Sequence, residues 1–284
     1  MMKTGLVLEG GAMRGMFTAG VLDVFMEAGI NVDGVIGVSA GAAFGVNYKS
    51  GQIGRALRYN MRFCNDKRYC GLWCLLRTGN IFSPDFAYGE VPLKYDKFDF
   101  EAYNRNSMPF YLVATDVETG EPVYREYDAR DEHVFDWLRA GASMPLVSQI
   151  VEIDGRKLLD GGISDAIPLR YFENLGYKRN IVVLTQPDEY EKKEVGLLWA
   201  LRFVYRKYPN LVKVMKERHL RYNETLRYIK ERECAGEILV LRPEKALPVS
   251  RVEKNPENLR AAYEIGRNAA QSRLKEISMF LAGA

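Results

Sequence analysis

Histidine is scarce in this sequence, which has only His133 and His219 among its 284 residues. Histidine is the usual base that activates a serine nucleophile in enzymes. His133 lies among charged residues near a predicted helix start, and His219 lies in a basic stretch without a turn signal. We therefore expect both imidazoles to be solvated side chains rather than catalytic bases.

The four cysteines carry no metal-binding pattern either. Cys64, Cys70, Cys74 and Cys234 form no C-x-x-C pair and have no histidine nearby. This spacing does not favour a zinc site, and it is typical of free thiols in a reducing compartment. We accordingly expect no metal and no other cofactor.

Three further absences narrow the class of protein. No run of about 20 apolar residues predicts a membrane-spanning helix, and Met1 leads into a short strand without the apolar run of a secretory signal. The net charge of +3 is too small to indicate a nucleic-acid partner, although basic residues are concentrated after residue 196. The expected location is therefore the cytoplasm, and the composition is that of an ordinary globular protein.

Two consecutive strand–loop–helix units open the chain. Residues 4–9 and 32–38 predict buried strands, and residues 16–28 and 39–48 predict the helices that follow them. Such a unit has parallel strands joined by a right-handed crossover. The two strand-to-helix loops should therefore lie side by side at the carboxyl edge of the sheet, where open α/β sheets bind ligands.

The first of these loops is Gly10-Gly11-Ala12-Met13-Arg14-Gly15. Its backbone N–H groups and the helix N-terminus behind them suit an anion, either a nucleotide phosphate or a transition-state oxyanion. The nucleotide alternative is the weaker, because Ala12 breaks G-x-G-x-x-G and no Gly-Lys-Ser/Thr follows. An acidic residue is available in Asp33, but it stands before the second strand and not at its end.

The second loop is Gly37-Val38-Ser39-Ala40-Gly41, which matches G-x-S-x-G, the elbow that raises a nucleophilic serine above a parallel sheet. The small flanking residues fit this interpretation, because a tight turn leaves no room for a Cβ beside the nucleophile. The pattern alone does not separate a nucleophile from a structural serine. The neighbouring glycine-rich loop favours the nucleophile, because its N–H groups can stabilise an oxyanion.

The middle of the chain predicts further strands and a less regular, aromatic segment. Strands are expected at residues 109–116, 122–127, 149–153, 157–159 and 181–185, with a tight turn at Asp154-Gly155. A helix is expected at residues 131–143. We interpret residues 51–108 as a helical layer over the sheet, in preference to a lid or the wall of an acyl-chain pocket. Within them, residues 84–92 and the Asp/Lys/Phe alternation that follows predict surface loops and a short helix.

Asp160-Gly161-Gly162 places a carboxylate at a strand end next to two glycines. Partial burial would raise the pKa of Asp160 and make it a competent base near neutrality. The order Ser39…Asp160…His219 of an α/β-hydrolase triad stays open as an alternative. Against it, only one strand precedes the strand of the serine, whereas the α/β-hydrolase fold has several there.

The three motifs at residues 10–15, 37–41 and 160–162, in that order and in those strand contexts, resemble those of the patatin-like phospholipases. The resemblance covers residues 4–187. It implies a dyad in which Ser39 is the nucleophile and Asp160 its base, and an oxyanion hole made by backbone N–H groups of Gly10 to Gly15. It also implies that Arg14 braces the loop and adds positive potential.

One residue departs from the family's pattern, because Ala12 replaces the more common third glycine of the first loop. An N–H donor survives this change, but the conformational freedom of the loop is reduced. We interpret the replacement as a feature of a subfamily and not as a loss of activity.

The chain after residue 190 is basic, aromatic and helical. Pro209 should divide residues 196–233 into two helices, residues 238–243 predict a strand, and residues 258–281 predict a final helix. We interpret the basic helices as packed on the domain, with peripheral contact to an anionic membrane as the alternative.

The predicted fold is α/β, a three-layer α/β/α arrangement with a mainly parallel, patatin-like central sheet and a helical C-terminal extension. The expected division is a catalytic domain at 4–190 and an extension at 191–284. The predicted function is a serine lipid acyl hydrolase of phospholipase A or lysophospholipase type, with a lipid or acyl-ester substrate and no nucleic-acid partner. The alternatives are an inactive lipid-binding module and a Ser-His-Asp esterase, and no oligomeric state is predicted.

Overall fold

A mixed eight-stranded sheet forms the centre of the molecule in the computed structural model, which describes residues 2–283. The strands are β1 (Lys3–Leu8), β2 (Gly34–Val38), β3 (Phe110–Asp116), β4 (Pro122–Glu126), β5 (Val151–Ile153), β6 (Arg156–Asp160), β7 (Tyr177–Val183) and β8 (Ile238–Leu241). Their order is β5-β6-β3-β2-β1-β7-β8, and β4 pairs with β3 outside this path. Strands β3, β2, β1, β7 and β8 pair in parallel, whereas β4 and β6 run antiparallel to β3.

Helices cover both faces of this sheet. They are α1 (Gly15–Glu27), α2 (Ala40–Ser50), α3 (Arg55–Phe63), α4 (Leu72–Thr78), α5 (Phe100–Arg105), α6 (Val134–Gly141), α7 (Leu169–Asn174), α8 (Leu198–Val204), α9 (Pro209–Cys234), α10 (Pro256–Gln271) and α11 (Leu274–Ala282). Short 3₁₀ turns at Ala12–Arg14 and Gly161–Ile163 and a π-helix at Phe86–Tyr95 complete the elements. No helix within residues 2–283 combines the length and the apolar character that crossing a membrane requires.

The alternation of side chains along the strands divides the core between the two faces. Leu6 and Leu8 belong to the larger cluster, which α1, α2, α3, α6 and α10 complete. Val7, between them, packs in a second cluster with residues of α7 and α9. A third, smaller cluster joins α8 and the start of α9 to Val117 and Leu159. The predicted three-layer α/β/α fold with a mainly parallel sheet and a helical C-terminal region is confirmed.

Of the surface loops and short helix predicted from residue 84 onward, the loops are wrong for residues 86–92, which lie in the π-helix Phe86–Tyr95. Pro92 stands inside the helix and is buried together with Phe86 and Val91. The ring of Phe86 packs edge-on against Phe63 of α3 at 5.3 Å between centroids. Aromatic packing against the neighbouring helix thus outweighs the local tendency of proline to end a helix.

The chain after residue 190 contributes to the sheet and to both helical layers. Strand β8 extends the sheet in parallel beside β7, while α9 and α10 pack on opposite faces. As predicted, Pro209 separates two helices, and it occupies the first turn of α9, where its missing N–H is not needed. Strands β7 and β8, which lie before and after the predicted boundary at residue 190, are therefore neighbours in one sheet.

The contact between α1 and α10 depends on two glycines. A Cβ on Gly20 would lie 2.1 Å from the carbonyl oxygen of Tyr263, and one on Gly266 would lie 2.0 Å from that of Phe17. No side chain larger than hydrogen fits at either position without moving a helix backbone.

Gly266→Ala should therefore lower the free energy of unfolding by about 1 to 3 kcal/mol, the usual range for an overpacked core, although alanine favours helices. Denaturant unfolding followed by circular dichroism measures the change. Gly196→Ala is the matched control, because no heavy atom lies within 4 Å of the added Cβ. An unchanged midpoint for Gly266→Ala would contradict the close helix crossing.

Candidate active site

Ser39 stands on a strained turn between β2 and α2. Its backbone angles, φ 53° and ψ −122°, lie where side-chain-bearing residues are uncommon. The serine carbonyl accepts hydrogen bonds from the N–H groups of Ala42 and Ala43, which starts the helix directly behind the side chain. This conformation costs about 1 to 3 kcal/mol and lifts the hydroxyl off the end of the sheet.

The glycines on either side of Ser39 are required by close backbone contacts. A Cβ on Gly37 would lie 2.7 Å from the backbone of Ala42, and one on Gly41 would lie 2.6 Å from the carbonyl oxygen of Leu8. The turn can therefore close only with hydrogen at both positions, as the G-x-S-x-G pattern indicates.

The Gly10–Gly15 loop lies against Ser39, as the order of the first two strands predicts. A Cβ on Gly10 would lie 3.0 Å from the Cβ of Ser39. Within the described residues, the N–H groups of Gly10 to Met13 donate to no acceptor of the chain, whereas those of Arg14 and Gly15 donate to carbonyls of the loop itself. Ala12 has a positive φ of 49°, so the position where this chain departs from glycine carries backbone strain.

Asp160 meets Ser39 across β3, beside Val113 and Ala114. The hydroxyl of Ser39 donates to Oδ2 of Asp160 at 2.7 Å, and the N–H of Gly162 donates to Oδ1 at 2.7 Å. Both side chains are nearly enclosed, with exposed fractions of 8% for Ser39 and 6% for Asp160. Each carboxylate oxygen therefore has one donor, and the lone pairs of Oδ2 face the serine proton.

Small and polar groups fix the backbone of Asp160. A Cβ on Gly161 would lie 2.2 Å from the carbonyl oxygen of Val113, so only glycine allows the chain to cross β3 there. The hydroxyl of Thr115 donates to the carbonyl oxygen of Asp160, and the N–H of Asp160 donates to that of Ser143. The close approach of Gly161 and the hydrogen bonds to Thr115 and Ser143 thus fix the backbone that carries the carboxylate.

Burial raises the pKa of Asp160 above its ordinary value of 3.8. The hydrogen bond from Ser39, the charge of Arg218 and the N–H of Gly162 lower it, but burial is the larger cause. A carboxylate with a raised pKa is a stronger base than one in water, which suits proton abstraction from a hydroxyl.

Neither histidine contacts Ser39 or Asp160 in the described part of the chain. The imidazole of His133 is about half exposed and lies beside Glu132 and Asp136. Nδ1 of His219 lies 3.0 Å from the carbonyl oxygen of Lys216 on the same helix.

Asp33, the acidic residue considered for a nucleotide ribose, accepts hydrogen bonds from the N–H and the hydroxyl of Thr4. It therefore ties the start of β2 to β1 and does not face the glycine-rich loop.

A narrow apolar cavity of about 80 Å³ opens beside Ser39. Its walls include Tyr59 of α3, Tyr69, Phe82 and Tyr88 of the π-helix. A second cavity of about 60 Å³ continues from it and shares four residues, Ala43, Tyr59, Ala87 and Tyr88. Residues 51–108 thus form a helical layer, as predicted. Their aromatic side chains also line the cavity beside Ser39, as the alternative interpretation of a pocket wall predicts.

Three polar residues near the site, Thr185, Arg218 and Tyr222, were not predicted, because they come from parts of the chain distant from the motifs. Glu9, at the end of β1, is 1% exposed and accepts hydrogen bonds from Tyr222 of α9 and from Thr185. The guanidinium of Arg14 donates to the hydroxyl of Thr185. Arg218, also on α9, donates from Nε to the carbonyl oxygen of Gly162. The only sequence signal for the α9 residues was the basic character of the helix.

Two protein-family models match parts of this chain. The family model described as patatin-like phospholipase matches residues 6–173, which include all three motifs. A second model, for a domain of unknown function (DUF6363), matches residues 208–282, from the start of α9 to α11.

Two individual relatives each match more than three fifths of the chain. The chain is 32% identical over 197 residues to uncharacterized protein YjjU of Escherichia coli K12, covering 66% of this chain and 53% of YjjU. It is 28% identical over 187 residues to lysophospholipase nte1 of Aspergillus terreus, covering 61% of this chain and 11% of nte1. It thus spans about half the length of YjjU and about a tenth of nte1.

Among solved structures, VipD of Legionella pneumophila aligns with 97% of this chain and 67% of its own, at 13% identity and a TM-score of 0.47. The patatin-like model alone accounts for more than half of the sequence and spans the elbow, the glycine-rich loop and the aspartate turn. The chain belongs to the patatin-like phospholipase family.

Proposed function

We propose that this protein is a serine hydrolase of lipid acyl esters, of phospholipase A or lysophospholipase type. The observation that carries the proposal is the 2.7 Å hydrogen bond from the hydroxyl of Ser39 to the buried carboxylate of Asp160. Family membership supports a lipid hydrolase in general. The assignment of nucleophile and base rests on this geometry.

The reaction would proceed through an acyl-enzyme. Asp160 takes the proton of Ser39 as the serine oxygen attacks the ester carbonyl, and the same proton then passes to the departing alcohol. A water molecule subsequently gives a proton to Asp160, attacks the acyl-serine, and releases the fatty acid as Ser39 recovers its proton. Asp160 acts as base and acid in each half, so the dyad needs no histidine.

The free N–H groups of the glycine-rich loop would stabilise the tetrahedral intermediate. Those of Gly10 to Met13 have no acceptor within the described chain, and the loop touches Ser39. Donors fixed in place before the reaction stabilise a developing oxyanion without reorganisation. Arg14, held to Thr185, would brace the loop from behind and add positive potential.

The apolar cavity beside Ser39 would accept the acyl chain. Aromatic walls and the continuation into the second cavity suit an alkyl chain bound in an extended conformation. The name of the Aspergillus relative, lysophospholipase, is consistent with such an ester. A single narrow track favours substrates with one acyl chain in the site at a time.

The exposed apolar side chains of α4 and α8 would contact a membrane surface, and that membrane would supply the lipid substrate. Trp73 of α4 is 59% exposed, and Trp199 and Phe203 of α8 are 73% and 70% exposed. Residues 144–149 contact the chain next to both helices. The N–H of Gln149 donates to the side chain of Asn80, which follows α4, and the N–H of Leu146 donates to the hydroxyl of Tyr205, which follows α8. Met144 of the same segment lines the cavity. A cytoplasmic protein with peripheral membrane contact fits this surface.

Ser39→Ala and Asp160→Asn should each lower kcat for a nitrophenyl acyl ester by about 100-fold to 10,000-fold, because each removes the nucleophile or its base. A spectrophotometric assay measures the release of nitrophenol. Near-normal turnover by Asp160→Asn would rule out the dyad.

The doubly substituted His133→Ala/His219→Ala protein is the control for the triad alternative, and it should keep its turnover. Covalent labelling with a fluorophosphonate tests the inactive-module alternative. Labelling of the wild type and not of Ser39→Ala is expected, whereas an unlabelled wild type would favour a binding module.

Asp160→Asn should also make the protein more stable at pH 7. Because the folded-state pKa of Asp160 is raised by burial, its carboxyl supports the fold below pH 3.8 and loses that contribution as the pH rises through the folded pKa. The stabilisation by Asp160→Asn should therefore shrink as the pH falls towards 4. Denaturant unfolding of both proteins at pH 7 and pH 4 gives the two differences, and a destabilised variant at pH 7 would contradict the buried, ionised base.

Trp199→Ser combined with Phe203→Ser should reduce binding to phosphatidylglycerol vesicles by about tenfold or more, because two large apolar side chains no longer enter the lipid interface. Co-sedimentation measures the bound fraction. Leu220→Ser, at a position of α9 that is 59% exposed, is the control and should bind as the wild type does. Equal binding by all three proteins would exclude α8 as the contact.

A further inference from the structure

Three cationic side chains, Arg14, Lys192 and Arg218, lie near one another where α9 packs against the sheet. Arg14 donates to Thr185, whose N–H and hydroxyl both bond to Glu9, and Glu9 in turn accepts the hydroxyl of Tyr222. Nζ of Lys192 lies 4.1 Å from the centre of the Tyr222 ring. Arg14 and Lys192 are thus the two ends of one short chain of contacts.

Arg218 completes the group from α9, one turn before Tyr222 and on the same face of the helix. Its Nε donates to the carbonyl oxygen of Gly162, next to Asp160. A Cβ on Gly162 would lie 3.0 Å from Oδ1 of Asp160 and 3.3 Å from Nη2 of Arg218. The guanidinium therefore lies at the same edge of the sheet as the dyad.

These three cations are held by neutral groups rather than by carboxylates. Arg14 bonds to a hydroxyl, Arg218 to a peptide carbonyl, and Lys192 stacks on aromatic rings. Ion pairs occur in many other places of the described chain, but none includes these three residues. Glu9 is close, but its two oxygens already accept three hydrogen bonds.

The charges of the group act on one another. The pKa of Lys192 falls to about 7, first through burial and then through the charges of Arg218, Arg14 and Arg251, while Glu9 acts in the opposite direction. A lysine in such surroundings is short of a negative partner. With Glu9 and Asp160 as the neighbouring carboxylates, the three cations leave a net positive charge that an anionic ligand would balance.

The apolar cavity and the side chains of Lys192 and Arg218 lie in different layers of the molecule. The cavity is lined from the layer that contains α2, α3 and the π-helix, and none of the three cations lines it. Lys192 and Arg218 approach from the layer of α9, against the other face of the sheet. An ester whose acyl chain fills the cavity would direct its alcohol part, the headgroup, towards the cations.

Resting on the proposed hydrolase function, we propose that Arg14, Lys192 and Arg218 form a subsite that selects esters with an anionic phosphate headgroup over zwitterionic or uncharged ones. Lys192 and Arg218 reach it from the region after residue 190. The three donors can bind phosphate oxygens by charge-assisted hydrogen bonds. A choline or other cationic group would instead meet like charges.

Binding of octyl phosphate and octylphosphocholine to the wild-type protein, measured by calorimetry below micelle-forming concentrations, tests the subsite. Neither compound has a carboxyl ester, so the result does not depend on hydrolysis. We expect octyl phosphate to bind at least about tenfold more tightly. Equal affinities, or no measurable binding of octyl phosphate, would overturn the subsite and leave the hydrolase proposal standing.

Lys192→Met should reduce this preference to about threefold or less, and Lys192→Arg should restore most of it, because charge and not packing is what the headgroup needs. Lys193→Met, at the exposed neighbouring position, is the matched control and should keep the full preference. An unchanged preference in Lys192→Met would exclude Lys192 from the subsite. Inorganic phosphate that binds as tightly as octyl phosphate would assign the site to a free anion and overturn the headgroup proposal.

Discussion

The hydrogen bond between Ser39 and Asp160 is the interaction on which the arrangement of the site depends. Its two residues are 121 positions apart and lie at the ends of β2 and β6, with β3 between them. Asp160 can reach across β3 only because Gly161 brings the chain into contact with the carbonyl of Val113. The order of the strands and the absence of a Cβ at Gly161 together allow the 2.7 Å distance between the Ser39 hydroxyl and Oδ2 of Asp160.

The fold holds this bond against two costs. Ser39 keeps a backbone conformation that costs about 1 to 3 kcal/mol, and Asp160 is buried although its charged form prefers water. Both costs are offset by the strands beneath the site, whose central side chains are fully buried on both faces of the sheet. Strain and a buried carboxylate at one place, over a well-packed core, are typical of a functional site.

The region after residue 190 takes part in the site rather than only packing on it. Strand β8 continues the sheet, and α9 places Arg218 and Tyr222 beside the aspartate turn and Glu9. The apolar cavity lies in the layer of α2 and α3, and Arg218 approaches the aspartate turn from the layer of α9. If the proposed hydrolase function holds, an amphipathic ester has one orientation in which its acyl chain meets the apolar cavity and its headgroup meets the cations.

The sequence by itself determined the order of the strands at the start of the chain, the two glycine-rich turns and the aspartate turn, because these are local features. Each depends on residues within a few positions, where hydrophobic periodicity and missing Cβ atoms limit the backbone. Only the tertiary structure decided the π-helix at Phe86–Tyr95, the aromatic wall of the cavity and the contacts of Glu9 and Arg218. Glu9 lies 213 positions from Tyr222, and Gly162 lies 56 positions from Arg218. Such partners leave no local pattern, because their contact is created when separate layers pack on one sheet.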